Sequence, residues 1–435
     1  MAISRDRSDE IRDASHLTIE GVDSFSHPTL DSIPKPILEA LELDMNLKRP
    51  SPIQALTVPL MIDGHSVIAQ AQTGSGKTVA FAIGLLSRID LNMSQVQALV
   101  LAPTRELADQ IVSDAVSPLA ARFEPKLRVE KALAGNVIGR GAKCTSHVIV
   151  GTPGTVKSWL SKKYFRTDTL KVFVLDEADF MVKDSVLGAT FRKEVNEIRK
   201  GCASAQMLLF SATYPQECLD YCNTMAPGAT TVAVPKNDLM LKEIFQVRMT
   251  VPPGGKLEVL QDLYEILGVQ SSIVFLDTKK EADDVTRMMN EAGFKVSTLH
   301  GGIDGADRDK VMNDFRKQIT RFLITTPVLA RGVDVPAVSV VVNYTIPRMK
   351  TSPNSNATEP DAEQYLHRIG RTGRFGRSGL AITLIESEQD YKDLMAIENE
   401  YSPGKAMTTE WPAANIADLK PAAAKSDAAA ESTKK

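Results

Sequence analysis

A chain of 435 residues, 43% of them hydrophobic and 24% charged, is long enough to fill two separately cored domains. With 51 basic against 54 acidic side chains the formal net charge is -3, so bulk electrostatics draw it neither to a nucleic acid nor to a membrane surface, and any such partner must be recognised by local residues. The four cysteines, Cys144, Cys202, Cys218 and Cys222, are too few and too scattered for a disulfide framework or a zinc site. Cys218 and Cys222, one helical turn apart, read as a buried apolar pair. No apolar run reaches the length of a membrane span, and Met1 to Glu20 is too polar for a secretory signal, so the expected location is cytoplasm and nucleus without membrane insertion.

Residues 1–24 read as a flexible extension. Short β-branched runs then alternate with amphipathic stretches, the pattern of a parallel sheet with helices on both faces. A first series comprises Val67-Ile68-Ala69, Ala98 to Leu101, Val148 to Val150, Val172 to Leu175 and Leu208 to Phe210, and defines a domain over residues 25–235. Periodicity breaks from Val234 to Lys242, where Pro235, Lys236, Asn237 and Asp238 predict a linker, set at residues 236–242. A second series comprises Ile273 to Phe275, Phe322 to Ile324, Ser339 to Val342 and Ala381 to Leu384, within a domain over residues 243–419. The alanine-rich residues 420–435 read as a disordered tail, with Trp411 and Leu419 anchoring the segment before it on the second domain. The fold class is α/β, with two doubly wound parallel sheets in tandem.

The first chemical signal follows the run at Val67. Ala71-Gln72-Thr73-Gly74-Ser75-Gly76-Lys77-Thr78 joins a strand to the helical Val79-Ala80-Phe81-Ala82. This is the order a phosphate cradle needs, because glycines let backbone N–H groups approach the phosphates and the helix N-terminus adds positive potential. Lys77 is placed for the β- and γ-phosphates and Thr78 for magnesium, although Ala71 stands where the general pattern has glycine. The second signal is Asp176-Glu177-Ala178-Asp179 at the carboxyl end of an apolar strand, where ligands of such sheets gather. Asp176 suits Mg2+, directly or through its waters, and Glu177 suits a water aimed at the γ-phosphate. ATP and Mg2+ are therefore the expected cofactors.

Asp176-Glu177-Ala178-Asp179 also spells the signature of the DEAD-box RNA helicases, and the chain resembles that family from about Phe25 to Leu419. The resemblance implies two RecA-like domains and an RNA-dependent ATPase. Arg49-Pro50-Ser51-Pro52-Ile53-Gln54 resembles the adenine-reading segment, with Gln54 pairing to the base and Leu47 where many members stack a phenylalanine. Ser211-Ala212-Thr213 resembles the coupling segment, with a hydroxyl expected on Asp179. In the second domain, Tyr365 to Arg374 resembles the segment in which Arg371 and Arg374 act as arginine fingers and His367 joins the acidic site, while Gly332 and Asp334 lie in the segment that meets the ribose. RNA contacts implied by the family fall on Pro103, Thr104, Arg105, Gly135, Thr152, Pro153, Gly154, Gly301 and Thr326, a set suited to phosphates and 2′-hydroxyls. Ala134, Gly305 and Pro327 depart from the usual residues near them.

Thr155, where most members place arginine, and an extra loop from Arg348 to Asp361 resemble the helicases that remodel messenger ribonucleoproteins at the cytoplasmic face of the nuclear pore. That likeness implies a nucleoporin and a pore activator acting with inositol hexakisphosphate as partners, RNA bound without sequence preference, and a monomeric enzyme. Against it stand an enzyme of another RNA pathway, an ATP-gated RNA clamp of low turnover, and a DNA motor.

Overall fold

The computed structural model describes residues 12–13, 22, 24–71, 74–136, 138, 142–183, 186–202, 204–234, 244–267, 271–326, 338–350, 357–372 and 379–419; of residues 12, 13, 186–190, 267, 305 and 306 it describes the backbone alone. The chain divides into two compact units, Met1–Asn237 and Asp238–Lys435.

In the first unit, strands β1 (Arg12–Asp13), β2 (Val67–Gln70), β3 (Ala98–Leu101), β4 (Val129–Ala132), β5 (Val148–Gly151), β6 (Val172–Asp176), β7 (Gln206–Ser211) and β8 (Thr230–Ala233) form one sheet. Their order is β1-β8-β2-β7-β6-β3-β5-β4, and every pair is parallel. Successive side chains of a strand face opposite ways, so each strand feeds two cores. Val67, Ala69, Ala98 and Val100 join Ile53, Phe81 and Phe210 on one face. Ile68, Leu99 and Leu101 join Trp159, Phe173 and Leu209 on the other. The helices that cover these faces and bear on the site are α1 (Pro52–Ile62), α2 (Lys77–Leu86), α3 (Arg105–Gln110), α4 (Pro153–Ser161), α5 (Ala178–Val182), α6 (Val186–Arg199) and α7 (Gln216–Met225). Cys218 and Cys222 lie buried on α7, and burial raises the Cys222 thiol pKa.

The second unit repeats the plan with β9 (Ile244–Thr250), β10 (Ser272–Phe275), β11 (Val296–Leu299), β12 (Phe322–Thr325), β13 (Val340–Asn343), β16 (Gly379–Ile385) and β17 (Thr409–Glu410), in the order β11-β12-β10-β13-β16-β9-β17. Its helices include α8 (Lys256–Leu267), α9 (Lys279–Glu291), α10 (Gly305–Arg316), α11 (Ala362–Ile369) and α12 (Glu388–Tyr401).

Several expectations change here. The extension contributes β1, which pairs with β8 at the sheet edge. The loop read from Arg348 to Asp361 has the paired stem of an antiparallel hairpin, β14 (Arg348–Lys350) with β15 (Thr358–Pro360). Arg348 holds that stem by donating to Thr358 Oγ1 at 2.9 Å and by pairing with the buried Asp393 of α12. Trp411 and Leu419 both pack on the second core, and Glu398 of α12 accepts from the Met407 and Thr408 amides at 3.0 and 3.1 Å. Residues 236–242 and 420–435, read as linker and tail, lie outside the described residues.

Candidate active site

Register assembles the first cluster of candidate residues. Gln70 of β2 lies beside Ser211 of β7, and Phe210 of β7 lies beside Asp176 of β6. The phosphate loop, Ser211-Ala212-Thr213 and Asp176-Glu177 therefore leave the carboxyl edge of the sheet as three neighbouring loops. The order interposes β7 and β6 between β2 and β3, which opens the crevice at which such sheets bind ligands.

Within the phosphate loop, Gly74 has φ +82° and Gly76 φ +91°, a left-handed backbone that side chains disfavour. Gly76 is required twice over, since a Cβ there would lie 2.5 Å from Gln54 Nε2. Gln54 itself is buried and completes a capping box at the start of α1, accepting from the Ser51 amide at 2.8 Å while its Nε2 donates to the Gly76 carbonyl at 3.1 Å. One amide thus ties the segment read as adenine-recognising to the segment read as phosphate-binding. Lys77 is buried as the first residue of α2, and its Nζ donates to the Ala71 carbonyl at 2.6 Å, across the loop it closes. Ala71 fits where the general pattern has glycine because its side chain packs into the core and its amide donates to Ser211 O at 3.0 Å. Thr78, next on α2, is half-buried, and Thr73 lies outside the described residues.

Asp176 ends β6 and is buried. Its pKa is pushed up to about 7, first by burial and then by the Glu177 charge, with Lys77 and the Glu177 amide pulling the other way. Glu177 has φ +54°, so the chain turns sharply between β6 and α5 at a cost of about 1 kcal/mol for a residue with a Cβ. That turn directs its amide onto Asp176 Oδ1 at 3.1 Å. Asp179 is fully buried and accepts from the Phe180 amide and from Thr213 Oγ1, each at 2.7 Å. Thr213 makes the hydroxyl contact on Asp179, and Ser211 Oγ accepts from the Thr213 amide at 3.4 Å.

A second group lines the same edge further along. Pro103 follows β3, Gly135 follows β4 and Thr152 follows β5, three strands that are neighbours in the order β3-β5-β4. Thr104 caps α3 by accepting from the Leu107 amide at 3.2 Å. Arg105 donates to the Ala134 carbonyl at 2.8 Å, which braces the turn at Gly135, exposed with φ +94°. Thr152 occupies the N-cap of α4, Pro153 its first turn, and Gly154 is exposed. Arg49 is exposed, and Leu47 is partly buried against the core.

In the second unit Gly301 follows β11 and Thr326 follows β12, again on adjacent strands. The Thr326 amide donates to Leu299 O at 3.4 Å. Asp361 caps α11 by accepting from the Gln364 amide at 2.9 Å, and that helix carries His367, with Arg371 just beyond it. Sequence reasoning passed over Arg368, which is fully buried, donates to Asp277 Oδ1 and to the Thr345 carbonyl at 2.6 Å each, and lies 5.4 Å from the Phe275 ring centroid. An arginine between two charged candidates hides its structural role in the sequence. Gly332, Asp334 and Arg374 lie outside the described residues.

Comparisons with known proteins give the same outline. The DEAD/DEAH box helicase model matches residues 51–221, and the helicase conserved C-terminal domain model residues 255–376. The chain is 41% identical over 375 residues to the ATP-dependent RNA helicase DBP5 of Gibberella zeae, covering 85% of this chain and 75% of that one. It is 42% identical over 363 residues to the dbp-5 helicase of Neurospora crassa, covering 82% and 73%. The solved structure of S. cerevisiae Dbp5 bound to RNA and ADP BeF3 matches with TM-score 0.84 and 33% identity, over 93% of this chain and 99% of that one. A variant of the same yeast protein bound to Nup159, Gle1, IP6 and ADP matches with TM-score 0.62 and 32% identity, over 90% and 100%. The chain belongs to the DEAD-box ATP-dependent RNA helicases, whose hydrolysis of ATP depends on RNA.

Proposed function

We propose that this helicase remodels messenger ribonucleoproteins during mRNA export at the cytoplasmic face of the nuclear pore, and is present in cytoplasm and nucleus. The supporting observation is the likeness to a yeast protein solved with RNA and, separately, with Nup159, Gle1 and IP6. Partners of those kinds are assigned here by that likeness. The test is RNA-stimulated phosphate release with and without a Gle1-type activator and inositol hexakisphosphate. Absence of stimulation removes the export reading and leaves a helicase of another RNA pathway.

For the chemistry, Lys77 exchanges the Ala71 carbonyl for the β- and γ-phosphates. Gln54 and Arg49 meet the adenine side of the nucleotide, and the amides from Thr73 to Thr78 cradle its phosphates. A carboxylate whose pKa is raised by burial and then by its acidic neighbour is the environment a divalent cation relieves, so Thr78 and Asp176 are the residues that would hold Mg2+. The cation, when bound, supplies charge neutralisation for the γ-phosphoryl oxygens. Glu177 orients the attacking water. Asp179 and Thr213 carry the state of the site to the coupling segment, with Ser211 supporting Thr213. His367, Arg371 and Arg374 complete the site when RNA on Pro103 to Arg105, Gly135, Thr152 to Gly154, Gly301 and Thr326 draws the units together, and Gly332 and Asp334 meet the ribose. Loss of RNA-stimulated phosphate release in Lys77→Ala is expected, and its retention refutes this assignment.

A further inference from the structure

The first turn of α4 is where Thr152, Pro153 and Gly154 present themselves to RNA. Thr152 is its N-cap and Pro153 has no N–H, so that turn offers an anion the amides of Gly154 and Thr155. Helix α6 packs against α4 and sets Glu194 over this turn. A Cβ built on Gly154 would lie 3.4 Å from Glu194 Oε1 and 3.6 Å from Oε2. The neighbouring Lys157 makes its ion pair with Glu197, Nζ 2.7 Å from Oε2, and reaches Glu194 only through its charge. Thr155, whose hydroxyl lies 3.3 Å from Thr152 Oγ1, brings no positive charge to the turn. Burial raises the Glu194 pKa, the Lys157 charge pulls the other way, and the Glu197 charge adds to the rise.

We infer that Glu194 opposes the bound strand: its carboxylate faces the phosphate seated on the first turn of α4, weakens RNA there and hastens its release. The inference rests on the reading of Thr152 to Gly154 as an RNA contact. A carboxylate within about 5 Å of a phosphate, at the high effective dielectric of a protein surface, lowers affinity roughly five- to tenfold. Such an opponent suits an enzyme that must let go of its product strand once per cycle, because it acts on the bound state and leaves the phosphate loop untouched.

The experiment measures the affinity of the full chain for a short single-stranded oligouridine, and for its deoxy counterpart, in the presence of a non-hydrolysable ATP analogue. Glu194→Gln, close to isosteric and neutral, is expected to bind the RNA roughly five- to tenfold more tightly, with a lower KM for RNA and slower release of the strand. A merely structural role cannot give tighter binding. Unchanged affinity overturns the inference. Weaker binding to the RNA alone also overturns it and makes the carboxylate an acceptor for a 2′-hydroxyl. Gly154→Asp separates the two levels: unchanged RNA affinity there removes the RNA reading of this turn, whereas a loss there with no gain in Glu194→Gln removes only the inference.

Discussion

Asp176 carries a cost that can be measured. In the unfolded chain its carboxyl ionises near its ordinary value of 3.8, whereas in the folded protein burial and Glu177 push that value to about 7. A raised carboxyl pKa leaves stability intact below the unfolded value. Stability falls as pH rises through the window between the two, and the full penalty is present above the folded value. The difference between the two values corresponds to about 4 kcal/mol at pH 8 and less than half of that at pH 5 for protein free of nucleotide and divalent cation. Asp176→Asn removes the ionisation, so the variant should be the more stable protein at pH 8 and should lose most of that advantage at pH 5, while losing ATP hydrolysis at both. The two tryptophans make the assay specific, because Trp159 lies buried in the first unit and Trp411 belongs to the second. Urea unfolding followed by fluorescence in a Trp411→Phe background reports the first unit alone. A gain independent of pH, or no gain at pH 8, refutes the reasoning.

Gly76→Ala combines a disfavoured φ with a Cβ 2.5 Å from Gln54 Nε2, so ATP affinity by fluorescent-nucleotide titration should fall about tenfold or more, and wild-type affinity would show that the loop yields freely. Thr213→Val deprives the buried Asp179 of its hydroxyl donor and should cost about 1.5–3 kcal/mol in urea titration, with duplex unwinding reduced more than ATPase; equal losses in both would count against a coupling role. Glu398→Ala removes the acceptor for two amides and the Thr408 hydroxyl, so unfolding read at Trp411 should shift by about 2–3 kcal/mol while the signal at Trp159 stays in place.

Both central strands that carry chemistry were legible in the sequence, because a buried parallel strand writes itself as an unbroken apolar run and its functional residues follow directly. Val172 to Leu175 ending in Asp176-Glu177 is such a case. The strands that escaped were β4, β8, β9 and β11 together with the short β1 and β17. In β4, Val-Glu-Lys-Ala lies half-buried at a sheet edge, where polar residues are tolerated and the apolar signal fades. The hairpin at Arg348 was hidden for another reason, since its stem is fixed by Asp393, distant in the sequence. In the site, the family resemblance pointed to Gln54 and the phosphate-loop pattern to Gly76. Only the fold shows that they share one hydrogen bond, and only the fold sets Glu194 over Gly154.

The position of β9 has a consequence for synthesis. It is the earliest strand of the second sheet to leave the ribosome, yet its neighbours are β16 and β17, made far downstream. Until residue 385 has emerged, Ile244 to Thr250 has no strand to pair with, and one flank stays open until Glu410 follows. A translating chain therefore carries an unsatisfied, partly apolar edge for most of the time its second unit is being built, the circumstance in which nascent chains call on chaperones. Truncation between β16 and β17 should yield a protein that aggregates during expression even though its phosphate loop and acidic pair are intact.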